Sequence, residues 1–276
     1  MTAPPPANPP LVQPPGFDAL LARAWTLFRT NPVLMVVTAI MYGAILVPVA
    51  GFAAVVIVAS LRAGGDKMSS DAAGTFVGGV MLGALLLVLI VIVVAIWGTT
   101  AMFGMADAAW ERGTTRLADG FAAFRRSWVA MLVANLLLIV LGVAAVLLAI
   151  PTLGIALLAL PLFTMYVIPA VVSGGHDGYS AIGESFRLVR RKFWPSVLGI
   201  LVLIAIQYGI SFLAVPFLIP FELAVGATAS TAGPASASLP TFSPAAIMLG
   251  VIGAVVMTVA YVAYHAFYAL TLTGLY

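Results

Sequence analysis

The sequence has no cysteine and only two histidines, and its nine acids and twelve basic residues are few for 276 positions. Without cysteine there is no disulfide, no thiolate nucleophile and no cysteine-ligated metal. His176 and His265 each lack a second ligand three or four residues away, so no metal site is expected, and no cofactor. Serine and threonine nucleophiles need a base and an orienting acid. The scattered acids offer no such trio, and an enzyme is not expected. Charge is the deepest shortage. With 8% charged and 63% apolar residues and a mean hydropathy of +1.17, the chain cannot cover a soluble surface. It reads as a membrane protein. The net charge of +3 does not point to nucleic acid, because the basic residues flank apolar runs as membrane orientation requires.

What is present is a short pattern repeated three times. Trp25-Thr26-Leu27-Phe28-Arg29 returns as Phe121-Ala122-Ala123-Phe124-Arg125 and as Phe186-Arg187-Leu188-Val189-Arg190. An aromatic, an apolar residue three places on and then arginine put two apolar side chains on one helical face with a cation beside them. Each copy opens a long apolar stretch. The expected fold is therefore all-α: a polytopic bundle of six transmembrane helices, arranged as three repeats of an interfacial amphipathic helix plus a membrane hairpin.

Residues 1–16 hold seven prolines and no charge, the composition of a disordered or polyproline-like tail rather than a signal peptide. Residues 17–276 form one six-span domain, with units at 17–106, 107–176 and 177–276. In the first unit Phe17, Leu20, Leu21, Ala24, Trp25 and Phe28 share a helical stripe, with Arg23 and Arg29 off it. Asn31-Pro32 restarts the chain into a first span over 30–61. Residues 62–74 read as a solvated loop and 72–106 as the second span, with a lipid-facing centre at 85–96. A second interfacial helix carries Leu117, Phe121, Phe124 and Trp128 on one face. The uncharged run 127–176 holds two spans with a hairpin at Pro151-Thr152-Leu153-Gly154, and Pro161 and Pro169 bend its second arm. A third interfacial helix aligns Tyr179, Ile182, Phe186, Val189 and Phe193. A fifth span begins at Trp194-Pro195, residues 224–244 read as a low-complexity loop, and a sixth span covers 245–270.

Orientation follows from the cations. With a cytoplasmic amino terminus, ten lie inside (Arg23, Arg29, Arg112, Arg116, Arg125, Arg126, Arg187, Arg190, Arg191, Lys192) and only Arg62 and Lys67 outside. The expected location is a bacterial cytoplasmic (inner) membrane, with both termini cytoplasmic. Two-span units return the chain to its starting face, so three parallel units predict a pseudo-threefold axis along the membrane normal. Their spacing, 96 residues and then 65, makes them unequal in length. Asp119 and Glu184 take equivalent positions where the first unit has Arg23.

One stretch resembles a known family. Met165-Tyr166-Val167-Ile168-Pro169-Ala170-Val171-Val172, a glycine-rich turn, then Ala181-x-x-x-Ser185-Phe186-Arg187-Leu188-Val189-x-x-x-Phe193-Trp194 is similar to a signature of bacterial six-span families. The nearest pattern is the membrane domain associated with glycerophosphoryl diester phosphodiesterases. The likeness covers about residues 160–200 and fades elsewhere. In that arrangement a separate catalytic domain follows; this sequence supplies no position for its residues, so the resemblance implies the membrane module without the activity.

Two functions fit these readings. The first is a non-catalytic module that engages anionic lipid or a membrane-protein partner through Trp25, Arg29, Phe121, Arg125, Arg126, Phe186, Arg190, Arg191 and Lys192. The second is a permease or exporter of a small or amphiphilic substrate. Its path would be lined by Asn135, Gln207, Tyr208, Glu222, Tyr261, His265 and Tyr268, the polar residues of the spans. Tyr261, His265 and Tyr268 share one face near the cytoplasmic end of the last span. There they form either an aromatic belt or the floor of a cavity.

Overall fold

Proline marks two of the helix junctions, although Pro48, Pro216 and Pro220 lie inside helices. In the computed structural model, which describes residues 16–65, 70–231 and 244–276, α1 (Phe17–Thr30) stops before Asn31-Pro32 and α2 (Val33–Gly65) starts directly after. Near the third copy of the pattern, α7 (Gly178–Arg191) gives way to α8 (Phe193–Thr231), which has Pro195 in its first turn. Pro fits a first helical turn, where its missing N–H has no partner to lose. The second copy has no proline at its junction. There the expected interfacial helix and the span that follows it form one continuous helix, α4 (Leu117–Ala149).

Two expected loops are also shorter than their composition suggested. α2 runs through Arg62 to Gly65, α3 (Ser70–Arg112) begins at Ser70, and α8 continues past Pro216, Pro220 and Glu222 to Thr231. Alanine has the highest helix propensity of any residue, and Ala224, Ala227 and Ala229 extend a helix that is already nucleated. The expected tail at 1–16 lies outside the described residues except for Gly16, and so do the centres of both loops.

The hairpin at Pro151–Gly154 is formed. The amide of Gly154 donates to the Ala149 carbonyl at 2.7 Å, and Gly154 adopts a φ of 82°, the left-handed region that glycine enters without cost. Its second arm is broken in two, α5 (Ile155–Thr164) and α6 (Val167–Val172). Pro169 has no N–H for the carbonyl four residues back, and the chain interrupts its ladder at Met165-Tyr166. α7 repairs the interruption: the Ser185 hydroxyl donates to the Phe163 carbonyl at 2.7 Å and accepts the Tyr166 amide at 3.1 Å. The Tyr166 hydroxyl, buried, pairs with the Ser196 hydroxyl at 2.8 Å. Backbone groups freed at membrane depth must find protein partners.

Among the described residues, six segments are long and apolar enough to cross a bilayer: 33–59, 74–112, 117–149, 155–172, 193–213 and 248–275, the last inside α9 (Pro244–Leu275). The chain is an integral, multi-pass membrane protein. α3, with 43 residues, is about 65 Å long, twice the roughly 30 Å hydrocarbon core, so it tilts or projects beyond it.

The packed core occupies one end. Its buried residues come from α1, the start of α2, the end of α3, the first half of α4, Met165 and Tyr166 before α6, α6 itself, α7, Leu203 of α8 and the last turns of α9. All these segments meet where the basic residues gather; we call this the basic end. At the other, far end, the apolar side chains of α2, α3, α4 and α9 are largely exposed, including Val55, Met81, Leu147 and Val259.

Candidate functional site

The basic end is tied together by side chains that reach helix termini. Arg23 on α1 donates to the Trp110 carbonyl in the last turn of α3 at 2.8 Å, with its guanidinium 4.6 Å from the Trp110 ring centre. Arg126 on α4 donates to the Val172 carbonyl, the last residue of α6, at 3.1 Å. Lys192, after α7, donates to the carbonyls of Leu275 and Tyr276 at 2.9 and 3.2 Å. Carbonyls at a helix C-terminus lack intrahelical donors and carry the negative end of the dipole, so each cation meets a compensating partial charge. Partial burial lowers the Lys192 ammonium below the ordinary lysine range. Thus two residues expected to face lipid, Arg126 and Lys192, are exposed and also cap helix termini.

Asn31 makes the other tie. Buried at the α1–α2 junction, it donates to the carbonyls of Leu27 at 2.9 Å and Gly113 at 3.2 Å. It also accepts the Thr115 amide at 3.0 Å. Asp119 receives the Arg116 amide at 2.8 Å and pairs with Arg112 at 2.7 Å. Arg187 pairs with Glu184 within α7.

The remaining basic interface candidates have no acceptor among the described residues. Arg29, Arg125, Arg190 and Arg191 are exposed, as are Trp25 and Phe121. Trp25 stacks on Phe28 with ring centres 5.4 Å apart, and Phe121 lies 5.8 Å from Trp97. Phe186 is partly exposed and stacks on Phe163 at 5.0 Å. The stripe expected on α7 is divided: Val189 is buried and Ile182 packs against the core, whereas Tyr179, Phe186 and Phe193 stay exposed. Gly178, Ala181 and Ser185 of α7 are buried as well. The small residues let α7 approach α4 and α6 closely, leaving the large ones outside. Gly183, Phe186, Arg187, Arg190 and Arg191 line an open recess of about 530 Å³.

Deeper in the bundle lies a cavity of about 330 Å³ lined by five helices: Met41 from α2, Thr99, Met102 and Phe103 from α3, Ile168 from α6, Gln207 from α8, and Tyr264, His265 and Tyr268 from α9. α9 ends at Leu275 rather than Leu270, which sets His265 about 15 Å from that end, close to half the thickness of a hydrocarbon core. Nδ1 of His265 lies 3.0 Å from the Tyr42 hydroxyl on α2 and 2.9 Å from the Tyr261 carbonyl. The tautomer selects between them: a protonated Nδ1 donates to the carbonyl, and a bare one accepts from the tyrosine.

Of the cavity candidates, Gln207, His265 and Tyr268 line this space. Tyr261 stands beside it, with its hydroxyl 3.2 Å from that of Ser211 on α8. Two do not line it. Tyr208 is 73% exposed and is not among the lining residues, although its exposed neighbour Gln207 is. Asn135 donates to the Met131 carbonyl of its own helix at 2.8 Å. Glu222 belongs to α8, and its side chain lies outside the described residues. The sequence reading missed Tyr42, Thr99 and Tyr264; the first two are polar residues inside uncharged runs, a signal that was available. It also missed Asn31 and Ser185 as ties.

No family model, no curated protein and no solved structure matches this chain.

Proposed function

We propose that the protein is a non-catalytic membrane module whose basic end engages anionic lipid in the cytoplasmic leaflet of a bacterial inner membrane. The observation that carries this reading is the division of labour among the cations. Arg23, Arg126 and Lys192 are turned onto helix carbonyls, whereas Arg190 and Arg191 border an open recess beside Phe186. Cations without an acceptor among the described residues, next to an exposed aromatic, suit a phosphate headgroup above acyl chains. The threefold plan belongs to the same proposal. In each expected unit a cation from or just after the leading helix caps the last span: Arg23 on α3, Arg126 on α6 and Lys192 on α9. The likeness to the phosphodiesterase-associated membrane domain is proposed alongside it, since residues of its signature, Tyr166, Pro169 and Ser185, make and mend the break in the fourth span.

The test is lipid retention. The purified chain in mixed nanodiscs should enrich anionic over neutral lipid, and Arg190→Gln with Arg191→Gln should reduce that enrichment about fivefold per charge removed, from roughly 1 kcal/mol per basic residue near an anionic surface. Unchanged enrichment would leave those arginines with a topological role alone.

A second reading, a permease, is favoured by the mid-depth cavity, which draws on all three expected units. It requires water access. Cysteine placed at Thr99 or Gln207, in a chain with none of its own, should react with a hydrophilic maleimide if the cavity belongs to an aqueous path.

A further inference from the structure

We infer that the mid-depth cavity is a binding site for an uncharged, membrane-soluble ring compound bearing hydrogen-bonding oxygens, of the chemical class of quinones and alkylphenols. The site is the one that supports the permease reading, but binding requires neither translocation nor anionic lipid.

Four observations lead there. Among the described residues the walls carry no carboxylate, lysine or arginine, so an ion at this depth would lose its hydration without a counter-charge. Aromatic rings and thioethers, from Phe103, Tyr264, Met41 and Met102, make up much of the lining. Such surfaces favour the face and edges of a flat ring. Polar groups arrive from different helices: Thr99 from α3, Gln207 from α8 and His265 from α9. The Thr99 hydroxyl and the Gln207 amide have no hydrogen-bond partner among the described residues, while neighbouring hydroxyls such as Thr100 and Thr38 return to their own helix carbonyls. A polar group at membrane depth that leaves its own backbone unbonded is available to a ligand. Finally, Gln207 is itself exposed, so the cavity has a side opening within the span of α8. A lipid-soluble molecule can enter there from the bilayer without crossing a headgroup layer. About 330 Å³ lies at the small end of the range of ligand sites and suits a single substituted ring.

The experiment is equilibrium binding of a radiolabelled decyl-benzoquinone to the full chain in neutral-lipid nanodiscs, with empty nanodiscs as the partition blank. Saturable binding above the blank is expected. It should be displaced by unlabelled decylphenol and not by decylbenzene, which shares the ring and tail but lacks the oxygens. Gln207→Leu and Thr99→Val should each weaken binding about tenfold, the value of one well-placed hydrogen bond, while Tyr208→Phe, on the outer face of α8, should not. Binding no greater than the blank would overturn the inference, and so would equal displacement by decylbenzene. Both readouts use the unsubstituted protein, so misfolding of a variant cannot obscure them. Unaltered affinity in the folded Gln207→Leu and Thr99→Val variants would equally overturn it. Anionic lipid is absent throughout, so the result is independent of the headgroup reading.

Discussion

The two halves of the bundle are made of similar residues and differ in what those residues touch. At the basic end helix termini are capped, junctions are bonded and small side chains bring helices together. At the far end the helices present valine, leucine and isoleucine outward, and the hairpin tip places Leu153 at 93% exposure. Hydropathy does not distinguish these ends, because a lipid-facing leucine and a core leucine have the same transfer preference. Inside a bilayer, packing and hydrogen bonds hold helices together, since lipid is as apolar as the side chains it would release. The basic end has both of these and is expected to set the stability of the whole.

That contrast is broken most severely by a side chain where the helices touch. A Cβ on Gly104 would collide with Ala123 of α4, whereas Gly78 has nothing within 4 Å. Gly104→Leu should therefore cost about 3 kcal/mol and Gly78→Leu less than about 0.5 kcal/mol, compared by unfolding in mixed micelles with SDS. Equal losses would mean that the two ends pack alike. Ser185→Ala should come next, at about 2 kcal/mol. It strands the Phe163 carbonyl and the Tyr166 amide, and raised amide exchange confined to Tyr166 and its neighbours would locate the damage. A smaller effect, about 0.5–1 kcal/mol, is expected for Lys192→Met through the lost cap on α9. Arg191→Gln, which removes no cap, should leave the unfolding midpoint where it was; a matching drop would end the distinction between the capping cations and the others.

The smallest expected effect is one of pH. Asp177 caps α7, accepting the Ser180 amide at 2.7 Å, and the Ser180 and Tyr179 amides hold its carboxyl below the usual aspartate range. A depressed folded value means that its contribution is complete above the ordinary carboxylate value and is lost as pH falls through the depressed one. Fraying of the first turn of α7 below about pH 4, seen by amide exchange and absent in Asp177→Asn, is the outcome that agrees. Fraying that persists unchanged in that variant would assign the acid sensitivity elsewhere.

Much of this architecture is written in the sequence. The shortage of charge required a membrane protein, the uncharged runs gave six spans, and Asn31-Pro32 and Pro151–Gly154 marked breaks, because composition and proline act locally and need no partner. Helix continuity through residues 62–65 and 224–231 was not legible from loop-like composition, and neither was the continuity of α4. Only the tertiary structure decided which cations are caps and which are free. Arg126 and Arg125 are adjacent and chemically identical; what separates them is the position of the α6 terminus, 46 residues away in the chain. The cavity arose in the same way. Thr99, Gln207 and His265 are single polar residues in three separate apolar runs, and only helix packing brings them to one space. A hydrogen bond or a cavity wall depends on where a second helix lies, and periodicity within one helix carries no information about that.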